Sequence, residues 1–204
     1  MSIMRKGLMA ITASLLLAGT LLAQDNTSDN MKTAANGGVP TSDRQFMDKA
    51  AQGGMAEVEL GQLAQQNAQN PDVKAFAQRM VTDHSKANDQ LKQLAAQQGV
   101  SLPTTLDAKD KATKARLEKL QGAAFDKAYM KDMVMDHKKD VAEFKHASSS
   151  AKTPALRDWA QQTTPTLESH LQEAEKVAPQ VGASSSAANM GQNSGDNGMS
   201  AQSH

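Results

Sequence analysis

The sequence predicts an all-α protein: an antiparallel four-helix bundle with one short extra connecting helix. Three observations carry that prediction. Apolar residues recur at three- and four-residue spacing over four long segments. Helix start and stop signals fall between those segments, and no series of short alternating stretches reads as strands. The composition agrees: 39% hydrophobic, 22% charged and 3% aromatic residues with no Cys suit one helical domain with a core of Ala, Leu, Val and Met. Formal net charge is zero, so no basic field calls for nucleic acid.

The N-terminus reads as a targeting segment. Arg5 and Lys6 form a positive start, Gly7 to Leu22 is an apolar run of signal-peptide length, and Ala23/Gln24 is the expected cleavage bond. The absence of Cys excludes a lipid anchor and a disulfide framework. Removing Arg5 and Lys6 leaves 20 basic against 22 acidic residues, a net charge of −2. No later run is apolar enough to span a membrane. The expected product is a periplasmic protein: signal peptide 1–23, disordered spacer 24–41, helical domain 42–178 and disordered tail 179–204.

Helix one is expected to start at Thr41 or Ser42 as N-cap, with Gln45 completing a capping box. Its apolar stripe reads Phe46, Ala50, Gly53, Glu57, Leu60, Ala64. Asn70-Pro71-Asp72 stops it and starts helix two, Asn70 as cap and Pro71 at the first helical position. Helix two carries Val73, Phe76, Met80, His84, Ala87, Leu91 and Leu94 on one face and ends at Gly99. After a loop with Pro103, Asp107 caps a short charged helix from Ala108 to about Gln121, broken at Gly122. Helix four runs from about Ala123 to Ser148 with Met130, Met133 or Val134, His137, Val141 and Phe144 on its stripe. Thr153 caps helix five, Pro154 opens it, and Pro165 falls inside it, where a kink is expected. Its stripe is Leu156, Trp159 or Ala160, Thr163, Leu167, His170 or Leu171, Ala174 and Val177.

Met80-Val81-Thr82-Asp83-His84 is echoed by Met133-Val134-Met135-Asp136-His137, which suggests two similar helical hairpins. Each copy puts an imidazole where an apolar residue belongs. Counted along the helices, Glu57 and His84 stand level, whereas His137 lies about 13 residues before the Ser150 turn and His170 about 20 after it, an offset of roughly two turns. Glu57, His84 and His137 therefore converge near mid-bundle from three helices, joined by His170 from a fourth if the connection after Ser150 is longer and the Pro165 kink shifts the register. A buried imidazole or carboxylate without a partner costs about 1–3 kcal/mol. The four groups need one another, water or a metal such as Cu, Zn or Fe.

Two readings stand side by side. In one, Glu57, His84, His137 and His170 are metal ligands with Asp83, Asp136 and Asp140 supporting them. In the other, they form a polar network that only fixes helix packing. Gly53 and Gly61, four residues either side of Glu57, allow close helix approach or make room for a ligand. Met80, Met130 and Met133 near the imidazoles are core filler or soft copper ligands. Di-iron oxygen chemistry is disfavoured, because Val81, Val134 and Leu167 stand where Glu-x-x-His motifs need Glu. No nucleophile elbow or phosphate loop is present.

Ala56-Glu57-Val58-Glu59-Leu60-Gly61, Met80 through Ser85, Phe125-Asp126-Lys127-Ala128-Tyr129-Met130 and Thr164-Pro165-Thr166-Leu167-Glu168-Ser169-His170 together resemble domain-of-unknown-function family 4142 over about residues 43–178. The resemblance implies a ferritin-like fold, export, and Glu57, His84, His137 and His170 as recurrent polar positions. The family is often described as outer-membrane proteins and has no established activity. The chain is also distantly similar to periplasmic copper-associated helical domains, but has Asp136-His137 where they have paired His. The expected function is non-enzymatic binding of a transition metal or small ligand for envelope metal buffering or stress tolerance. The alternative is a structural or interaction module of the cell envelope.

Overall fold

The computed structural model describes residues 38–183, and every regular element among them is helical. The signal segment, the spacer up to residue 37 and the tail beyond 183 lie outside the described residues. Four long helices, α1 (Thr41–Asn67), α2 (Pro71–Gln97), α4 (Gly122–Ser150) and α5 (Pro154–Val177), are joined by a short α3 (Ala108–Leu117). α1 packs along α2 and α4 along α5; α2 also meets α5, and α1 meets α4. No described helix is long and apolar enough to cross a membrane.

Two helix starts, those of α2 and α3, carry the expected side-chain cap; Gln121 before α4 and Thr153 before α5 hold the N-cap position without a side-chain cap bond. Asn70 accepts from the backbone N–H groups of Asp72 and Val73, with Pro71 at the first position. Asp107 accepts from Asp110 N at 2.7 Å, and Pro154 opens α5 behind Thr153. α1 departs further from the expectation. Pro40, not Thr41 or Ser42, occupies its N-cap position, and no side chain caps it. The reason lies one turn on: Asp43 points inward and accepts Thr153 N at 2.6 Å, taking Ser42 Oγ with it at 3.2 Å. Burial pushes the Asp43 carboxyl up, but the bonds from Thr153, Lys152 and Ser42 outweigh it and hold the group below its ordinary range.

Asp126, in the first turns of α4, does the same for the other hairpin. Its two oxygens accept the backbone N–H groups of Gln69 and Asn70, at 3.2 and 3.0 Å. Each hairpin's turn is therefore held by a buried Asp from the first helix of the other hairpin. These bonds satisfy turn amides that would otherwise be orphaned, and they fix how far one hairpin slides along the other.

Several boundaries differ from the sequence expectation. α3 ends at Leu117, because that residue is buried and the chain then turns, with Asn67 donating to Leu120 O. α4 starts at Gly122, whose positive φ of 59° suits glycine, and runs through Ser150, so its connection to α5 is centred on Ala151–Thr153 rather than on the serines. Packing continues past 178: a 3-10 turn spans Ala178–Val181 and Ala183 is buried. On the first half of α1 the buried apolar positions are Met47, Ala51 and Gly54 in place of the expected Phe46, Ala50 and Gly53, which are half-buried; farther along, Glu57, Leu60 and Ala64 are buried as expected. α1 faces two neighbours, so its buried face is wider than the single stripe expected, and Phe46 sits at its edge against Phe144 and Trp159. The sequence echo does not map onto the hairpins: its copies lie in α2 and α4, which hold different places within them.

The glycines flanking Glu57 have opposite roles. A Cβ on Gly61 would stand 2.9 Å from both Ala77 O and Val81 Cγ2, so this glycine lets α1 and α2 approach. A Cβ on Gly53 would meet nothing within 4 Å. Gly61→Ala should therefore destabilise the fold by about 1 kcal/mol net, overpacking outweighing helix propensity. Gly53→Ala should stabilise it by about 0.5–1 kcal/mol. Urea unfolding of the two variants checks the signs, and equal signs would refute the assignment.

Candidate metal centre

His84 on α2, His137 on α4 and His170 on α5 meet at one level of the core. Their ring centroids lie 5.3–5.7 Å apart, and one ring nitrogen from each falls within 4.8 Å of the others. The expected offset of His170 vanishes because the α4–α5 turn comes later than the serines: His137 stands 16 residues before Thr153 and His170 stands 17 after it. In the first hairpin the corresponding distances from Asn70 are 13 to Glu57 and 14 to His84. Both pairs are level, so the four side chains share a depth.

All four are buried: Glu57 is 4% exposed, His84 7%, His137 0% and His170 1%. Two imidazoles are held by their outer nitrogens. His137 Nδ1 lies 3.0 Å from Met133 O and donates to it, the role a carbonyl allows. His170 Nε2 lies 2.8 Å from Asp83 Oδ2 and donates to that carboxylate. Arg79 fixes Asp83 in turn, with Nε at 3.3 Å, while its other nitrogens reach Glu173 and Ser169. What remains are His84 Nε2, His137 Nε2 and His170 Nδ1, none with a protein hydrogen-bond partner, and Glu57 Oε2 is likewise unpartnered.

Burial sets the protonation states. It drives His84 well below the usual imidazole range, with His137 and His170 adding repulsion. Burial and His170 take His137 down to about 4, against the opposing bond to Met133. His170 is lowered by burial although Asp83 pulls the other way. All three rings are neutral at neutral pH and offer lone pairs. Burial, reinforced by Asp140 and Asp136, raises Glu57 well above the carboxylate range. The 3.8 Å approach of Glu57 Oε1 to His137 Nδ1 satisfies an ion-pair distance. We treat it as a contact between two neutral groups, because burial disfavours both charges and the His137 proton is already given to Met133 O.

Three nitrogens bound to one ion at about 2.0–2.1 Å stand about 3.3–3.6 Å apart. From within 4.8 Å, each ring has to move inward by no more than about 0.9 Å. The three imidazoles thus could hold a metal ion; Glu57, expected as a ligand with them, lies outside the group, its Oε1 3.8 Å from His137 Nδ1 on the side of the ring turned to Met133 O.

The supporting acids divide. Asp83 orients His170, not its own neighbour His84. Asp136 does not reach an imidazole: one position before His137, it is turned about 100° around the helix and pairs with Lys109 at 3.0 Å. Asp140 lines the cavity beside the site, and burial raises its carboxyl to about 7. Met80, Met130 and Met133 are wholly buried in the apolar cluster of Phe76, Phe125 and Tyr129, which is the core-filling role. Sequence reasoning missed Arg79, although its i,i+4 spacing to Asp83 is a legible signal. It also missed Tyr129, whose buried hydroxyl has no protein partner.

The family model described as Domain of unknown function (DUF4142) matches residues 28–177. The chain belongs to that family. Among solved structures, the chain is similar to a DUF305 fragment from Deinococcus radiodurans, with TM-score 0.62 and 16% identity over 71% of this chain and 99% of that one. It is also similar to a putative secreted protein DUF305 from Streptomyces coelicolor, with TM-score 0.60 and 14% identity over 70% and 93% of the two chains. These likenesses show a shared helical fold. No curated protein matches the chain.

The pH dependence of the metal-free chain follows from these shifts. A depressed His137 stabilises the fold fully above the unfolded value of 6.5, and that stability is lost as pH falls towards about 4. Glu57 acts oppositely: its contribution is present below 4.5 and lost as pH rises through its elevated folded value. Glu57→Gln should therefore raise stability at pH 7–8. In that variant, stability should fall by about 3 kcal/mol for His137 alone between pH 6.5 and 4. Chemical denaturation across this range is the measurement, and a flat profile in Glu57→Gln would show that the imidazoles are not buried neutral.

Proposed function

We propose that this DUF4142 protein is an exported, antiparallel four-helix bundle of ferritin-like type that binds one transition-metal ion without catalysing a reaction. Its role is metal buffering or stress tolerance in the periplasm. The observation that supports this reading is the set of three unpartnered ring nitrogens, His84 Nε2, His137 Nε2 and His170 Nδ1, buried at one level. Leaving each unpaired costs about 1–3 kcal/mol. Two of the rings are oriented through their other nitrogen by a carboxylate and a backbone carbonyl, the arrangement that metal-bound imidazoles require. Glu57 stands outside this set of three, its Oε1 3.8 Å from the His137 nitrogen that faces Met133 O, so it is a neighbour of the site and the three imidazoles are its ligands. The donor set of imidazoles suits Cu, Zn or Fe.

A second reading has its own observation. The chain Glu173–Arg79–Asp83–His170 bridges α2 and α5 at 2.6, 3.3 and 2.8 Å, a network able to fix helix register by itself. In that case the protein is a structural or interaction module of the envelope.

Metal titration separates the two. Under the first reading the chain binds one equivalent of Cu2+ or Zn2+, and its stability rises by about 2.7 kcal/mol at a free metal concentration of 100 times Kd. His84→Ala and His137→Ala should abolish stoichiometric binding, and Asp83→Ala should weaken it by about 10–100-fold. Calorimetry and thermal unfolding read both. Wild type showing no tighter uptake than the His84→Ala/His137→Ala double variant leaves only the structural reading.

A further inference from the structure

We propose that the cavity lined by α1, α2, α4 and α5, with α3 at its mouth, is the passage by which a divalent transition-metal cation reaches the three imidazoles, with Asp140 meeting it on the way, Glu57 receiving it and Gly53 keeping the passage wide. The inference rests on the metal reading of the triad and specifies how the ion gets in. The cavity has a volume of about 170 Å³. At its inner end stand Glu57, His84 and His170. At its outer end stand Lys109 and Lys139, whose side chains are 61% and 58% exposed. The lining thus runs from exposed lysines to Glu57, His84 and His170; His137 is not part of it, and the unpartnered nitrogens themselves stay closed to solvent, so the last step inward needs side-chain movement.

Three lysines, Lys49, Lys109 and Lys139, and seven carboxyl groups line the cavity, so the balance of its walls favours a cation. Of the carboxylates along the cavity, Asp136 is paired with Lys109 and Glu143 with Lys139. Asp110 and Asp140 also line it, and no Lys, Arg or His among the described residues forms an ion pair with either. Ionised carboxylates in a narrow cleft focus the field and raise the local concentration of cations; Asp140, raised to about 7, contributes in part at neutral pH and fully above about pH 8, where the Asp140→Asn comparison is made. Farther in, Glu57 is 4% exposed, lines the same space and keeps Oε2 without a protein partner, so it offers an oxygen where the passage meets the triad.

Gly53 gives the passage its width. The other two glycines of α1 are explained by packing: a Cβ on Gly54 would collide with the Asn88 side chain, and one on Gly61 with Ala77 O. Gly53 lines the cavity, and its missing side chain is replaced by open space. A glycine in mid-helix without a packing neighbour is accounted for if that space has to stay clear. α3, otherwise only a connector, acquires a purpose as well: it brings Asp110 and the Lys109–Asp136 pair to the mouth.

Stopped-flow mixing of the full chain with Cu2+ tests the proposal, read by quenching of Trp159, the single Trp, whose ring lines the cavity. Gly53→Leu should slow association by about tenfold or more, and slow release by a similar factor, leaving equilibrium affinity nearly unchanged. Asp140→Asn should slow association by about three- to tenfold, an effect that shrinks in high salt. Lys109→Ala should speed it by a similar factor. Circular dichroism confirms folding, and Asp140→Asn, which adds no volume, carries the test should Gly53→Leu fail to fold. Wild-type association rates in Gly53→Leu and Asp140→Asn overturn the passage while leaving the metal site standing. A wild type that takes up no more Cu2+ than the His84→Ala/His137→Ala double variant overturns both.

Discussion

The arrangement depends on burying three neutral imidazoles at one depth without pairing their inward nitrogens. Burial, reinforced by repulsion among the rings, makes this possible, since it leaves each imidazole with a single proton and no charge. A charged trio packed at centroid distances of 5.3–5.7 Å would repel itself apart. Met133 O and the Asp83 carboxylate then fix two of the rings from behind, so the remaining lone pairs face inward and not at random.

That local chemistry needs the helices held in register to within a fraction of a turn. A slip of one residue moves a side chain 1.5 Å along the axis and about 100° around it, enough to take an imidazole off the core face. Asp43 and Asp126 supply the constraint. Each reaches from the first helix of one hairpin to the backbone of the other hairpin's turn, at opposite ends of the core. The level counts around Asn70 and Thr153 then carry the register inward to the triad. The apolar residues provide adhesion, in two clusters above and below the polar layer, but adhesion is non-directional and tolerates sliding; the two aspartates do not.

The polar layer is also where the interior opens. Gly61 brings α1 and α2 together beside Glu57, whereas Gly53, two turns earlier, leaves space that runs out beneath α3. Close approach on one side and a gap on the other come from the same residue type, distinguished only by what faces it. The paired lysines and unpaired aspartates at the gap set its charge independently of the apolar packing.

The sequence by itself determined the helical class, the four long helices, the Asn70–Pro71 and Asp107 starts, the Gly99 stop and the candidate set Glu57, His84, His137 and His170. Periodicity and caps are local properties, and an imidazole on an apolar stripe is visible in one dimension. Tertiary structure decided the rest. That His170 is level with His137 depended on α4 continuing through Ser150, a choice between helix and turn that three serines leave balanced. The failure of the Thr41/Ser42 cap, the assignment of Asp83 to His170 on another helix, the diversion of Asp136 to Lys109 and the opposite roles of Gly53 and Gly61 all turn on partners more than 15 residues away along the chain or on a neighbouring helix. Such partners are selected by packing geometry, which no local pattern of residues encodes.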